Sequence, residues 1–152
     1  MTHYEILLAS SEKSGLKIVE KNFKSDAKGL IKGNKIGIRK DLSENEKYCI
    51  LAEELGHYYT SVGNILDQSI VSNRKQENAA RKWAVNKLIS IDMIVDACKN
   101  GCCTFFEIAE YLNVTSDFIQ EALNYFKRIY GYSYKNENYT VIFNDLGFYI
   151  IN

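Results

Sequence analysis

Ala52-Glu53-Glu54-Leu55-Gly56-His57 is the stretch on which the reading of this chain turns. In a helix, residues four apart lie one above the other on one face. Glu53 and His57 therefore offer a carboxylate and an imidazole to the same ion. The pattern departs by one residue from His-Glu-x-x-His, where two histidines one turn apart hold a metal and the glutamate between them is the base. Glu53 stands in the place of the first histidine, and Glu54 keeps the place of the base. Three residues before His57, Glu54 is displaced round the helix, where it can face a metal-bound water. Leu51, Leu55 and Tyr58 form a separate stripe for the core, while Ile50 lies on the Glu53 side. A helix that is apolar on more than one side suits the wall of a cleft between two layers.

The flanks support a helix. Ser43-Glu44-Asn45-Glu46 is a capping box, in which Ser43 accepts from the amide three residues on and Glu46 reaches back. That helix is expected to run to about Tyr59. A loop through Gly63, Asn64 and Asp67 follows, then a second long helix from about Ser72 to Leu88, and a further helical stretch over Ile89 to Cys98.

A metal needs a third protein ligand. A histidine six residues after His57 would make a Met-turn pattern, but that residue is Gly63. The other common arrangement places a glutamate on the next helix, and Glu77, twenty residues after His57, has the thermolysin-like spacing. Glu53, His57 and Glu77 are thus the candidate ligands, with water in the fourth position and Glu54 as the base. Two adjacent glutamates are usually a solvated face, and a single histidine is more often structural than a ligand. The conjunction of capped helix, motif and correctly spaced Glu77 raises the metal reading above those. Thermolysin-like enzymes carry an aspartate four residues after the third ligand, where it orients the first histidine. Here that residue is Arg81, which suits a carboxylate ligand by donating to its free oxygen. The competing reading pairs Arg81 with Glu77 one turn earlier on the same helix.

Composition narrows the function classes. Hydrophobic residues make up 46% and charged residues 25% of 152, which predicts a folded core. Nineteen basic residues balance nineteen acidic ones, so the phosphate neutralisation that drives non-specific nucleic-acid binding is not to be expected. No apolar run reaches membrane-span length and Met1-Thr2-His3-Tyr4-Glu5 lacks a basic signal start, so the expected location is cytoplasmic. The cysteines Cys49, Cys98, Cys102 and Cys103 are expected as free thiols, Cys49 as a small buried hydrophobe. Cys98-x-x-x-Cys102-Cys103 has half of a metal-site spacing, but no second Cys/His pair accompanies it.

The remaining segments predict an α+β fold. Tyr4 to Lys13 reads as a short helix with Ile6, Leu7 and Leu8 inward, stopped at Gly15. Leu16-Lys17-Ile18-Val19-Glu20 reads as a strand. Gly29-Leu30-Ile31, Gly33-Asn34 and Lys35-Ile36-Gly37-Ile38-Arg39 read as strand, turn and strand, giving a small antiparallel sheet. Residues 1–99 would form one domain. Residues 100–152 would add a helix-turn-helix-like segment and a hairpin packed on it. In that segment Thr104 and Glu107 open a helix to Leu112, Asn113-Val114-Thr115 turns, and Ser116 caps a helix to about Tyr130. Ala109, Leu112, Val114 and Ile119 would form its core. The second helix starts Ser116-Asp117 and carries Glu121, which repels phosphate, so the segment fits a protein-docking or packing role better than DNA reading. The tail alternates as a hairpin turning near Asn136-Glu137-Asn138.

Cys49-Ile50-Leu51-Ala52-Glu53-Glu54-Leu55-Gly56-His57-Tyr58-Tyr59-Thr60, followed by Asn73-Arg74-Lys75-Gln76-Glu77 and Ala80-Arg81-Lys82-Trp83-Ala84, resembles the ImmA/IrrE metallo-endopeptidases of bacteria and their mobile elements. The resemblance runs from about Tyr4 to at least Leu88. It implies a compact gluzincin-like domain that cleaves a helix-turn-helix transcriptional repressor, often of a prophage or conjugative element, and so relieves repression. The departure is Glu53, and Glu-Glu-Leu-Gly-His recurs as a variant in that family. Two carboxylates and one imidazole cancel the charge of a divalent cation. Zn²⁺ accepts carboxylate oxygen, and such a site acidifies its water less and tolerates Mn²⁺ or Fe²⁺ more readily than a two-histidine site. Tyr58, Tyr59 and His3 are candidate oxyanion donors. The alternative function is a non-catalytic regulator that binds the repressor and carries a weak or vestigial metal site.

Overall fold

The computed structural model describes residues 1–61 and 70–152. The expected loop through Gly63, Asn64 and Asp67 lies outside them. Two helices organise the molecule, α2 (Glu44–Thr60) and α3 (Ile70–Leu88), each defined by the packing of one on the other. The expected box opens α2: Ser43 Oγ accepts from Glu46 N, and the Glu46 carboxylate accepts from Ser43 N. At Gly56 the two helices approach so closely that a methyl group would collide with the Ala80 carbonyl oxygen of α3. Only a residue without a side chain permits that spacing.

Ahead of α2 lie α1 (His3–Lys13), β1 (Lys17–Lys21), β2 (Gly29–Lys32) and β3 (Lys35–Arg39). Gly15 takes φ +95° just after α1, as its stop position requires. Leu7 is buried and Leu8 partly so, but Ile6 is exposed, since it falls outside the inward face set by Tyr4, Leu7 and Ser11.

The first sheet has the order β1-β3-β2. The β2–β3 pair is the expected hairpin, with Lys32 opposite Lys35 across Gly33-Asn34 and Gly33 at φ +62°. The sheet is mixed, though, because β1 pairs parallel to β3, Ile18 opposite Ile36. Ile36 and Ile38 have no exposed surface, and this makes β3 the central strand. Inserting β3 between β1 and β2 forces β1 to run alongside it in the same direction. The order leaves β1 and β2 as the edges, and β2 and β3 both lie over α2.

After α3 come α4 (Ile91–Lys99), α5 (Phe105–Leu112) and α6 (Ser116–Tyr130). Ser90 caps α4 and Thr104 caps α5. Glu107 reaches back past Thr104 to Cys103 N, one residue earlier than a full box would place it. Thr115, rather than Ser116, caps α6, accepting from Phe118 N. Asn113 in the turn adopts the left-handed conformation at φ 61°, which asparagine tolerates. Ala109, Leu112, Val114 and Ile119 are all buried, as expected of the helix pair's core.

The tail holds three strands where a hairpin is expected, β4 (Ser133–Lys135), β5 (Thr140–Asn144) and β6 (Gly147–Ile151), all antiparallel. The extra strand follows a second turn at Asp145-Leu146, and Val141 and Phe143 of β5 carry the burial. The chain is thus α+β, with helices and sheets around one core cluster that runs from Tyr4 to Phe143. No described helix is long and apolar enough to cross a membrane.

Candidate metallopeptidase site

The site is built on the α2–α3 contact. His57 of α2 and Glu77 of α3 meet, with His57 Nε2 3.6 Å from Glu77 Oε1. Two ligands held at ordinary Zn–N and Zn–O lengths in a tetrahedron stand about 3.4 Å apart. The separation is that of two side chains able to share one ion. Leu51 and Leu55, on the core stripe of α2, are fully buried and fix the rotation of the helix, whereas Tyr58 is exposed.

Glu54 lies beside this pair, half-buried under β2. A methyl on Gly29 of β2 would fall 2.6 Å from Ile50 Cγ2 and 3.1 Å from Glu54 Oε1. Burial raises the Glu54 carboxyl above its usual pKa; His57 opposes the shift and Glu77 adds to it. A carboxyl raised in this way is a better proton acceptor than a solvated one.

Glu53 faces another neighbour. Its pKa is raised from 4.5 to about 7, first by burial and next by the carboxylate of Glu121, against the opposing charge of Arg81, with Glu54 and Glu77 adding smaller shifts. Glu121 belongs to α6, and nothing in the sequence signalled that it would reach the candidate ligands. Arg81 Nε stands 3.4 Å from Glu121 Oε2. Among the described residues Arg81 forms its ion pair with Glu121, across the α3–α6 contact, rather than with Glu77 or Glu53. That approach lacks hydrogen-bond geometry, and Glu121 Oε2 is buried with no hydrogen-bond donor.

The chemistry of this donor set fits a divalent cation. Glu54 and Glu77 lie with His57, Glu53 and Glu121 lie with Arg81, and one buried carboxylate oxygen of Glu121 is left without a donor. The side chains are not gathered into a finished cage. Among the described residues no three His, Cys, Asp or Glu side chains form a group able to hold a metal. His57 and Glu77 meet, and Glu53 is turned toward α6.

Of the candidate oxyanion donors, His3 sits elsewhere, against Tyr48 and within 3.3 Å of Asn113 Nδ2. Tyr59 stacks on Trp83, and Tyr58 packs edge-on against Tyr59. All four cysteines are free. Cys49 is buried, and its thiol is pushed up to about 12, chiefly by burial, so it is an inert core residue.

Residues 11–124 match the model of the IrrE N-terminal-like domain, a peptidase family. The match runs from the end of α1 into α6 and takes in every residue of the candidate site. The chain belongs to this ImmA/IrrE family of peptidases. No curated protein and no solved structure gives a significant match.

Proposed function

We infer that this chain is a metal-dependent endopeptidase that cleaves a helix-turn-helix transcriptional repressor of a prophage or mobile element and thereby relieves repression in the cytoplasm. The observation that carries the reading is the 3.6 Å approach of His57 to Glu77, with Glu54 beside it at the edge of the β2 sheet. Glu53, His57 and Glu77 would hold the cation, Zn²⁺ by preference, with Mn²⁺ or Fe²⁺ also suited to two carboxylates and an imidazole. When bound, such a cation polarises a scissile carbonyl and acidifies water.

The chain's own residues supply the rest. Glu54 takes the proton of the attacking water and returns it to the leaving amine, and its raised pKa matches both tasks. An extended segment of substrate can add to the free edge of β2 by main-chain hydrogen bonds, which brings its backbone past Gly29 and so over Glu54. Arg81 lies on the far side of Glu53 and can steady that carboxylate.

A second reading has an observation of its own. Glu53 is turned toward Glu121 and Arg81, and this favours a regulator that binds the repressor without cutting it. The deciding experiment incubates the metal-loaded chain with the repressor encoded beside its gene. The peptidase reading expects a discrete cleavage that Glu54→Gln abolishes while keeping its metal. Intact repressor that co-purifies with both proteins supports the regulator, and cleavage that survives in metal-replete Glu54→Gln overturns the role given to Glu54.

A further inference from the structure

A cleft of about 830 Å³ separates the first half of α2 from α5 and α6. Its apolar surface comes from Phe106 and the partly buried Ile50, backed by the buried Val114 and Phe118. Phe106 is 65% exposed, an aromatic ring left open to solvent at the first turn of α5. The charges around the cleft are one-sided. Glu44, Glu46, Glu53, Glu110, Asp117 and Glu121 line it, against the single cation Lys28. The whole chain is balanced, nineteen to nineteen, so the asymmetry belongs to this surface. Lys28 is already 3.8 Å from Glu46, and Arg81 behind the cleft is engaged with Glu121. Among the described residues no cation pairs with Glu44, Glu110 or Asp117.

We propose that this cleft is a docking site for a lysine- or arginine-bearing amphipathic segment of a partner protein. The apolar floor and the exposed Phe106 take the apolar face of the segment, in the manner of a helix laid in a groove. The acidic rim takes its cations and excludes nucleic acid and acidic peptides. The cleft opens on Glu53, so a segment held there is anchored next to the candidate catalytic helix. It is substrate only under the peptidase reading; the docking itself needs neither metal nor cleavage.

The test uses the full chain, without added metal, and fluorescence anisotropy of two labelled probes. One is an amphipathic peptide of leucine and lysine at helical spacing; the other has glutamate in place of every lysine. The lysine peptide should bind about tenfold or more tightly than its acidic twin and weaken with salt. Phe106→Ala, Glu110→Lys and Asp117→Lys should each weaken it by about tenfold, whereas Glu12→Lys on α1, remote from the cleft, should leave it unchanged. Phe106, Glu110 and Asp117 are on the surface, and an unchanged circular dichroism spectrum verifies each fold. Equal binding of the two peptides, or equal loss from Glu12→Lys, would overturn the proposal. So would self-association of the wild type that Phe106→Ala disperses, since a second copy would then be the occupant. Binding that survives in Glu54→Gln separates this inference from the fate of the peptidase reading.

Discussion

His57 Nε2 and Glu77 Oε1 face one another across two helices at 3.6 Å, with neither side chain fully buried. An imidazole and a carboxylate this exposed gain little from such a contact in water; under the peptidase reading a shared cation would hold the two together. Protein purified without chelator and supplied with Zn²⁺ or Mn²⁺ should carry about one equivalent of metal per chain. His57→Ala and Glu77→Ala should each lose it. Elemental analysis reads the result directly, and full retention in both variants would remove the site.

Glu53 makes a prediction about pH. Its folded pKa of about 7 stands above the ordinary 4.5. Between those values the folded chain keeps a proton that the unfolded chain has released, so folding stability falls as pH rises through the window. In chelator-treated protein, Glu53→Gln should match the wild type below about pH 4 and exceed it above about pH 7 by about 1–3 kcal/mol. Urea titrations at the two pH values measure the difference. A variant less stable than wild type at pH 8 would show that the Glu53 carboxylate is favourably held.

Arg81 is the cation that opposes this shift. Removing it leaves Glu53 and Glu121 facing each other without compensation. Arg81→Ala in the metal-free protein should push the pH window of Glu53 upward, and Arg81→Lys should largely restore it. The ion pair itself is partly exposed and contributes about 0–1 kcal/mol, so the shift of the window, rather than the loss of stability, is the diagnostic reading.

Gly56 fixes the distance between the ligand helices. Alanine is the better helix former by about 1 kcal/mol, but its methyl would strike the Ala80 carbonyl oxygen, part of a backbone that cannot rotate away. Gly56→Ala should therefore destabilise the fold by about 1–3 kcal/mol net of that gain, and lower metal affinity as α2 and α3 part. Thermal unfolding and metal titration check the two effects. Unchanged values in both would mean that the helices tolerate a wider gap.

The helices of the candidate site and the His57–Glu77 approach were legible in the sequence because helical spacing is a local rule. The Ser43–Glu46 box and the approach of Glu77 to His57 follow from short-range patterns, whereas the turn of Glu53 toward Glu121 does not. Long-range facts were not legible. Ile36 and Ile38 mark β3 as buried, but alternation along a strand does not reveal that β1 pairs beside it in parallel. Glu121 lies 68 residues after Glu53 in the chain, and only the packing of α6 against α3 brings it to the site. As for Arg81, a spacing rule offers Glu77 as its partner, and tertiary packing supplies Glu121 instead. The extra strand β6 was missed because Asp145-Leu146-Gly147 is a tight turn inside what reads as one alternating run.

The contact at Gly56 also bears on what holds this fold together. Many small metal-binding domains collapse only when the ion arrives, so that affinity and folding are one quantity. Here α2 and α3 are already drawn to contact by a bare backbone surface and the apolar residues Leu51, Leu55, Ala84 and Val85. Under the peptidase reading, a cation entering this scaffold would find α2 and α3 already in contact. Stripping such a cation away should then leave a folded, refillable protein.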